Sequence, residues 1–277
     1  MSEVQFPTVD AYTHCGISKY LPVEDVSATM NHAGVDRAVL AQHLGEFDNS
    51  YIRDVVTANS DRYAGVCLVD HRADSIEPIL EELAGSASCQ GVRWPIAPGL
   101  DNHELVGRTL ELGLVVVAYF PESIAACVAT MDRLLEAHPS GNIVVSHLGN
   151  PTQQQADPLQ EFRQAGVFQL LSAEGLIIQL SGMEMTTRFP HAALHDLVGV
   201  MFETVGPTRM TWGSNYPVVG TAEDYRAELQ LLLDGRLPIP SEAIPAVAGG
   251  NAARLWFPEP ERVAVKTLST ESGSKPD

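Results

Sequence analysis

The sequence predicts a single (β/α)₈ TIM barrel. Short apolar segments alternate with segments whose apolar residues recur at helical spacing, which is typical of a parallel sheet with crossover helices. The alternation repeats eight times, in units of roughly 25 to 40 residues. A chain of 277 residues also has the length of one such barrel. A doubly wound open sheet is the alternative fold, but no glycine-rich nucleotide-binding motif follows any predicted strand.

Each predicted strand is a short apolar run that stops at polar or turn-forming residues. The clearest is the run at residues 114–120, because an almost wholly apolar segment fits a strand buried on both faces. The eight predicted strands span residues 4–10, 37–42, 63–69, 91–94, 114–120, 142–146, 176–180 and 209–212.

The predicted helices lie between these runs and after the last one. Ile76, Ile79, Leu80 and Leu83 show the helical spacing, and glycines such as Gly34 stand where a helix is expected to end. The predicted helices span residues 23–33, 48–59, 75–83, 102–112, 122–137, 157–171, 191–204, 223–233 and 241–256. We expect one barrel domain over residues 1–258 and a polar C-terminal tail over residues 259–277.

Composition narrows the class of protein. Hydrophobic residues make up 45% of the chain and charged residues 19%, as in a folded globular protein. The formal net charge of −18 argues against nucleic acid and anionic membrane surfaces, because both attract basic faces. No apolar run is long enough to span a membrane, and the four cysteines form no CxxC pair. We therefore expect a cytoplasmic protein with reduced thiols, as a monomer or homodimer.

Polar side chains gather at the predicted strand ends. In a barrel these ends converge on one pocket, where the chemistry of such folds is found. A single histidine there is easily explained as a packed side chain, but several at corresponding ends point to a site. We leave His32, His103, His138, His191 and His195 as structural, because they lie in or beside helices. The candidate site residues are Tyr12, His14, His43, Asp70, Arg93, Tyr119, His147, Asn215 and Tyr216.

Five segments together resemble the amidohydrolase superfamily, in the order that the family has them. Each is short, but they extend over nearly the whole chain. The resemblance is closest to the "amidohydrolase 2" group, which includes 2-pyrone-4,6-dicarboxylate lactonase, sugar-acid lactonases and aminocarboxymuconate-semialdehyde decarboxylase. The segments are Asp10-Ala-Tyr-Thr-His14, Gly91-Val-Arg93, Val144-Val-Ser-His147-Leu-Gly149, Trp212-Gly-Ser-Asn215-Tyr-Pro217 and Gly250-Asn-Ala-Ala-Arg-Leu-Trp256.

Two departures from the family pattern affect whether the chain can bind a catalytic metal ion. The first histidine of the family's D-x-H-x-H motif is Tyr12 here, and the strand-eight aspartate is Asn215. A catalytic zinc ion takes about three protein ligands and keeps an open position. Only His14 and His147 remain as good ligands, so we expect no metal and no cofactor. The resemblance implies that the lactonase branch works without one.

The sequence does not identify the catalytic base. In the metal-free scheme that the resemblance implies, the strand-eight aspartate activates water, and in this chain that position is Asn215. A neutral amide cannot take up that proton. In one explanation the base is another group, with His14, His43, His147 and Asp70 as candidates. In a second, an aspartate has been replaced by asparagine to trap a substrate. In a third, the chemistry has changed to a step that needs no activated water.

The resulting functional hypothesis is a metal-independent hydrolase that opens a small carboxylated lactone or cyclic amide. Arg93 would pair with the substrate carboxylate, while His14 and His147 would polarise the carbonyl oxygen. Asn215 would position water or the carbonyl. The tyrosines, His43 and Asp70 would bind substrate. The alternatives are a metal-independent decarboxylase or lyase using the same residues, and a non-catalytic barrel that binds small acids.

Overall fold

Eight parallel β-strands follow one another in chain order around a nearly closed barrel, as predicted. The computed structural model describes residues 7–73, 75–100, 102–152 and 157–258. The strands are β1 (Val9–Thr13), β2 (Arg37–Ala41), β3 (Tyr63–Leu68), β4 (Gly91–Pro95), β5 (Val115–Tyr119), β6 (Ile143–Val145), β7 (Leu176–Leu180) and β8 (Met210–Trp212).

Ten α-helices occur in these described ranges, and most of them connect consecutive strands. Their first-turn acidic residues and αL glycines, such as Gly34 after the first helix, agree with the signals in the sequence. The helices are α1 (Val23–Ala33), α2 (Ser50–Ala58), α3 (Glu77–Ala84), α4 (His103–Glu111), α5 (Val128–Ala137), α6 (Pro158–Ala165), α7 (Val167–Leu171), α8 (His195–Val205), α9 (Ala222–Leu233) and α10 (Asn251–Trp256).

Side chains of alternating strand residues form two apolar layers. On β2, Val39 and Ala41 belong to an inner cluster, whereas Ala38 and Leu40 belong to the layer between strands and helices. Trp256 of α10 joins the inner cluster and packs against Gly91, where an added Cβ would meet its ring at 3.1 Å. The barrel interior is thus a packed core and not a pore.

An irregularity in β1 turns Tyr12 toward the inside of the barrel. The pairing of β1 with β2 shifts between Asp10 and Thr13, and the consecutive residues Ala11 and Tyr12 both belong to the inner cluster. In a regular strand two neighbours would face opposite sides. The bulge therefore breaks the alternation where the candidate site begins.

Asp10 links β1 to the segment after β8. Its carboxylate accepts hydrogen bonds from the backbone nitrogen of Ser214 at 2.9 Å and from the Ser214 hydroxyl at 2.6 Å. Backbone bonds from Asn215 to Tyr12 and from His14 to Tyr216 lie beside it. Burial raises the pKa of Asp10 to about 6, although the bonds from Ser214 act in the opposite direction. This buried carboxylate helps to hold the first and last strands together.

Several predicted boundaries differ from the structure. Strand β1 extends to Thr13, beyond the predicted end at Asp10, and residues 4–6 lie outside the described part. The predicted helix 157–171 is two helices because Gly166 adopts an αL conformation with φ 78°. His191, with φ 60°, precedes a short 3₁₀ turn, so the next helix begins at His195.

The chain end also differs. The predicted helix 241–256 divides into a 3₁₀ turn, a π-helical segment (Ala246–Gly250) and α10. The predicted tail, residues 259–277, lies outside the described residues. Among the described helices, none has the length and apolar character needed to cross a membrane.

Candidate active site

Tyr12 lies between the two histidines of the candidate site. Its ring centroid is 5.0 Å from that of His14 and 4.9 Å from that of His147, and both contacts are edge-on. The Tyr12 hydroxyl is buried and has no hydrogen-bond partner among the described residues. Burial raises its pKa to about 12, so the hydroxyl keeps its proton and can donate it.

The His14 tautomer is fixed by a backbone carbonyl. Nδ1 of His14 lies 2.6 Å from the carbonyl oxygen of Ala41, which can only accept, so Nδ1 carries the proton. Burial, and after it the positive charge of Arg93, lower the pKa of His14 from 6.5 to about 3. His14 is therefore neutral near pH 7, with a lone pair on Nε2.

A chain of hydrogen bonds fixes His147 in the same way. The Gln179 amide nitrogen donates to the Ala11 carbonyl at 3.1 Å, so its oxygen is free to accept from the Ser181 hydroxyl at 3.2 Å. The Ser181 oxygen then accepts from Nδ1 of His147 at 3.0 Å. Burial and the charge of Arg93 hold the pKa of His147 well below its ordinary value. Its Nε2 also presents a lone pair.

These tautomers change the role predicted for the histidines. The polarisation of a carbonyl oxygen requires a donor, and a neutral imidazole whose Nδ1 proton is already committed has no second proton to give. His14 and His147 can accept a hydrogen bond at Nε2. Donation to an oxyanion falls instead to the Tyr12 hydroxyl and the guanidinium of Arg93.

Arg93 on β4 is a buried cation with no carboxylate partner in the described part of the chain. It is 5% exposed, and NH1 donates to the Gln42 carbonyl at 3.3 Å. Its guanidinium carbon lies 4.9 Å from the ring centroid of Tyr119 and 5.6 Å from that of Tyr12. Nε has no hydrogen-bond partner among the described residues. Two aromatic rings thus flank a cation that no carboxylate of the described residues neutralises.

Tyr20 and His43 continue the aromatic cluster toward the loops after β1 and β2. The Tyr20 ring stacks on His14 at 4.9 Å with an interplanar angle of 14°, and it meets His43 edge-on at 5.2 Å. Nδ1 of His43 is buried, again with no hydrogen-bond partner in the described part of the chain. Sequence reasoning missed Tyr20, because a tyrosine in a loop between a strand and a helix carries no signal of its own.

Asn215 after β8 contacts a carboxylate from the neighbouring loop. Its amide nitrogen donates to Oε1 of Glu184 at 2.6 Å. Glu184 lies in the 3₁₀ turn Met183–Met185 after β7 and is not among the candidate site residues predicted from the sequence. Burial raises its pKa, while the bond from Asn215 lowers it. The carboxylate that is hydrogen-bonded to Asn215 therefore comes from the loop after β7.

Two predicted site residues have their described contacts elsewhere. The hydroxyl of Tyr216 accepts a hydrogen bond from Thr29 on α1 at 3.2 Å, and its ring packs on Tyr225 of α9. Asp70 forms a partly exposed ion pair with Arg72 at 3.1 Å. The structure brings together Tyr12, His14, His43, Arg93, Tyr119, His147 and Asn215 and leaves these two at the edge of the set.

Left-handed backbone conformations occur at several loops on this side of the barrel. Among the described residues other than glycine, φ is positive at His147, Leu148 and Asn150 after β6, at His191 after β7, and at Asn215 after β8. Such conformations cost of the order of 1 kcal/mol each and persist only where the surroundings impose them. His147 and Asn215 are candidate site residues, and their side chains are thus held by a backbone conformation that the surroundings impose.

The chain matches one protein family in sequence and several solved structures in fold. A family model described as Amidohydrolase matches residues 9–257. No curated protein sequence matches the chain. Similar solved structures include a Pseudomonas putida protein with a provisional assignment as a 2-pyrone-4,6-dicarboxylic acid hydrolase. It has 18% identity and a TM-score of 0.72, over 91% of this chain and 97% of that one.

Two further structures share the fold at low identity. An amidohydrolase from Burkholderia multivorans with bound zinc has 17% identity and a TM-score of 0.73, over 90% of this chain and 99% of that one. The 5-carboxyvanillate decarboxylase from Sphingomonas paucimobilis has 19% identity and a TM-score of 0.58, over 84% and 82%. At such identities the likeness extends to the fold, and the chemistry has to be argued from the residues of this chain.

The donor set does not fit a resident zinc ion. His14 and His147 have the tautomer of metal ligands, with Nδ1–H held by the protein and a lone pair on Nε2 that no described residue contacts by a hydrogen bond. A catalytic zinc ion takes about three protein ligands. The described residues contain no group of three histidine, cysteine, aspartate or glutamate side chains placed to hold a metal ion. Tyr12 and Asn215 stand where the family motif has a third and a fourth donor.

Proposed function

The chain belongs to the amidohydrolase family, and on that premise we propose that it is a hydrolase that opens a small carboxylated lactone or cyclic amide. The observation that carries the proposal is Arg93, a buried guanidinium without a carboxylate partner among the described residues. A buried cation is costly unless an anion neutralises it. A substrate carboxylate would supply that charge and match the planar guanidinium in a two-bond geometry.

The remaining groups support acyl chemistry at a carbonyl carbon. The protonated Tyr12 hydroxyl and Arg93 are the donors available for an oxyanion. The free Nε2 atoms of His14 and His147 flank Tyr12 and would accept hydrogen bonds from a water molecule or a substrate hydroxyl. The ring of Tyr119, against Arg93, would form one wall of the binding site. In this arrangement the protein's own side chains supply the donors and acceptors of the reaction.

A decarboxylase is the second candidate, because one similar structure is a decarboxylase of aromatic acids. Loss of carbon dioxide is favoured when a carboxylate is moved away from positive charge. Arg93 would instead stabilise the charged carboxylate in the ground state, so it favours hydrolysis. The third candidate, a barrel that only binds small acids, would keep Arg93 but would have no use for two free Nε2 acceptors.

We propose that the reaction proceeds without a metal ion, since Tyr12 and Arg93 are placed as the electrophilic groups. The cytoplasmic location and the monomeric or homodimeric state stay predictions from composition.

A panel of carboxylated lactones and cyclic amides, assayed with a chelator, tests the function. Opening of a lactone releases a proton, and mass spectrometry identifies the product of either kind of ring by the gain of one water. Loss of carbon dioxide would support the decarboxylase instead. Binding of the acids without turnover would support the binding protein.

A further inference from the structure

We propose that Glu184 is the general base of this hydrolysis and that Asn215 holds its carboxylate in place. The assignment rests on the proposed function. The catalytic carboxylate would then come from the loop after β7, while the strand-eight position supplies an amide. Glu184 and Asn215 are joined by the 2.6 Å hydrogen bond from the Asn215 amide to Oε1.

The backbone just before Glu184 lies against His147. Gly182, with φ 68°, stands where an added Cβ would meet Nδ1 of His147 at 2.5 Å, so the loop passes directly over that ring. On the other side, the Asn215 backbone nitrogen donates to the Tyr12 carbonyl at 2.9 Å. Glu184 is therefore connected to Tyr12 through Asn215, and its own loop contacts His147 at Gly182, two residues earlier in the chain.

The loop that carries Glu184 is held by its own hydrogen bonds. The Thr187 backbone nitrogen donates to the Met183 carbonyl at 2.9 Å, which closes the turn around Glu184. The Thr187 hydroxyl lies 3.1 Å from Nδ1 of His191, and Nε2 of His191 lies 2.7 Å from Glu228 on α9. His191 is fully buried, so this pair anchors the loop to the helix layer. A base on a fixed loop keeps its geometry through the reaction.

The electrostatic surroundings make Glu184 a better base than an ordinary glutamate. Burial raises the pKa of its carboxyl, the hydrogen bond from Asn215 lowers it, the charge of Glu228 raises it and His191 lowers it. The net direction is upward from 4.5. A base whose pKa approaches the working pH takes up a proton more readily and still remains ionised enough to act.

The other candidate bases are less suited to the role. Burial lowers the pKa of His14 to about 3 and that of His147 well below 6.5, so both are weak proton acceptors at neutral pH. Burial also lowers the pKa of His43. Hydrogen bonds from Arg72 lower the pKa of Asp70, which is paired away from the cluster. Of these described candidates, Glu184 combines a raised pKa with a hydrogen bond from Asn215.

The proposed step conserves atoms and charge. The Glu184 carboxylate takes a proton from water as the water oxygen bonds to the carbonyl carbon. The carbonyl electron pair moves onto its oxygen, where Tyr12 and Arg93 stabilise the negative charge. When this intermediate collapses, the ring bond to the leaving oxygen or nitrogen breaks. The leaving atom takes the proton from Glu184, which is returned to its carboxylate form.

The test compares Glu184→Gln with Glu223→Gln, a matched change at an exposed residue of α9. Glutamine can still accept the hydrogen bond from Asn215 but cannot take up a proton. We expect kcat to fall by about 10²- to 10⁴-fold in Glu184→Gln with little change in KM. The acid limb of the pH–rate profile should disappear, whereas Glu223→Gln should keep the full rate and the limb.

Two further variants keep the test decisive where the glutamine variant fails to fold. Glu184→Asp retains a carboxylate and should keep an acid limb at a reduced kcat. Glu184→Ala should be inactive, and added formate should restore its activity in proportion to the formate concentration.

The outcomes separate the base assignment from the function. Ring opening by the unaltered protein, together with normal rates in every Glu184 variant, would overturn the assignment and leave the proposed function standing. Failure of the unaltered protein to add water to any carboxylated lactone or cyclic amide would overturn both.

Discussion

The amide nitrogen of Asn215 lies 2.6 Å from Oε1 of Glu184, so the strand-eight position donates a hydrogen bond to a carboxylate from the preceding loop. An aspartate at this position would place two carboxylates side by side. The observed amide therefore fits a site in which the loop after β7, and not the position after β8, supplies the carboxylate. This pairing favours the explanation that the base lies elsewhere than at residue 215.

Asn215→Asp should impair catalysis and not restore it. Two carboxylates in hydrogen-bond contact share one proton, and the pKa of one of them rises. We expect the acid limb of the pH–rate profile to move upward by about one to three pH units. A higher kcat with an unmoved limb would show that Asn215 is a disabled base. Asn59→Asp, at an exposed helix end, controls for the added charge.

Arg93→Met should weaken carboxylate binding and stabilise the fold. Removal of one partner from a buried charge pair costs about 2–5 kcal/mol in binding, which corresponds to a KM increase of at least roughly 30-fold. In the free protein the same change removes a buried cation that has no carboxylate partner in the described ranges, so the midpoint of thermal unfolding should rise. Arg226→Met, an exposed matched change, should alter neither quantity. An unchanged KM for a carboxylated substrate would contradict the assignment.

Tyr12→Phe should lower kcat and leave the stability of the fold almost unchanged. The Tyr12 hydroxyl has no hydrogen-bond partner in the described part of the chain, so its loss should change the free energy of unfolding by less than about 1 kcal/mol. Loss of an oxyanion donor should lower kcat by about 10²- to 10³-fold. Tyr63→Phe is the converse control, because its hydroxyl donates to Ser27 far from the cluster. That variant should lose stability and keep kcat.

Asp10→Asn should alter how stability depends on pH. The folded-state pKa of Asp10 is raised from 3.8 to about 6, so the folded state binds the proton more tightly than the unfolded state. Its contribution to stability is full below about pH 4 and is lost as the pH rises through about 6, a change of about 3 kcal/mol. His14 and His147 have lowered pKa values in the folded state, so their contribution to stability increases as the pH rises. The pH range of this increase overlaps that of Asp10.

The comparison for Asp10 is therefore made between the unaltered protein and Asp10→Asn at each pH. Urea unfolding at several pH values should show the difference between them change between about pH 4 and pH 6 and stay constant above. A constant difference across the whole range would show that the carboxyl titrates alike in both states.

The barrel itself was predictable because its signals are local and repeat eight times. Apolar runs define β5 and β7, and glycines end several helices. The boundary errors have local causes that periodicity does not reveal. The bulge in β1 adds polar residues to the strand, and the αL conformation of Gly166 divides a helix that is continuous in its apolar pattern.

The candidate site was predictable as a set of strand ends but not in its chemistry. Parallel strands bring the positions of His14, Arg93 and His147 to one end of the barrel, since each lies on a strand or within two residues of its end. The tautomers depend on a backbone carbonyl and on the Gln179–Ser181 bonds, which no sequence pattern shows. Glu184 and Tyr20 reach the cluster through loop conformations. Tyr216 was predicted at the site because it follows β8, but its side chain turns toward α1 and α9.

The most direct measurement is the hydrolysis of a matched lactone pair, with and without the carboxylate, in ¹⁸O-labelled water and in the presence of a chelator. We expect one labelled oxygen in the ring-opened acid and a kcat/KM at least about tenfold higher for the carboxylated lactone, which is a difference of about 1.4 kcal/mol. That preference should disappear in Arg93→Met. Loss of carbon dioxide without incorporation of label, or equal rates for the two lactones, would contradict this expectation.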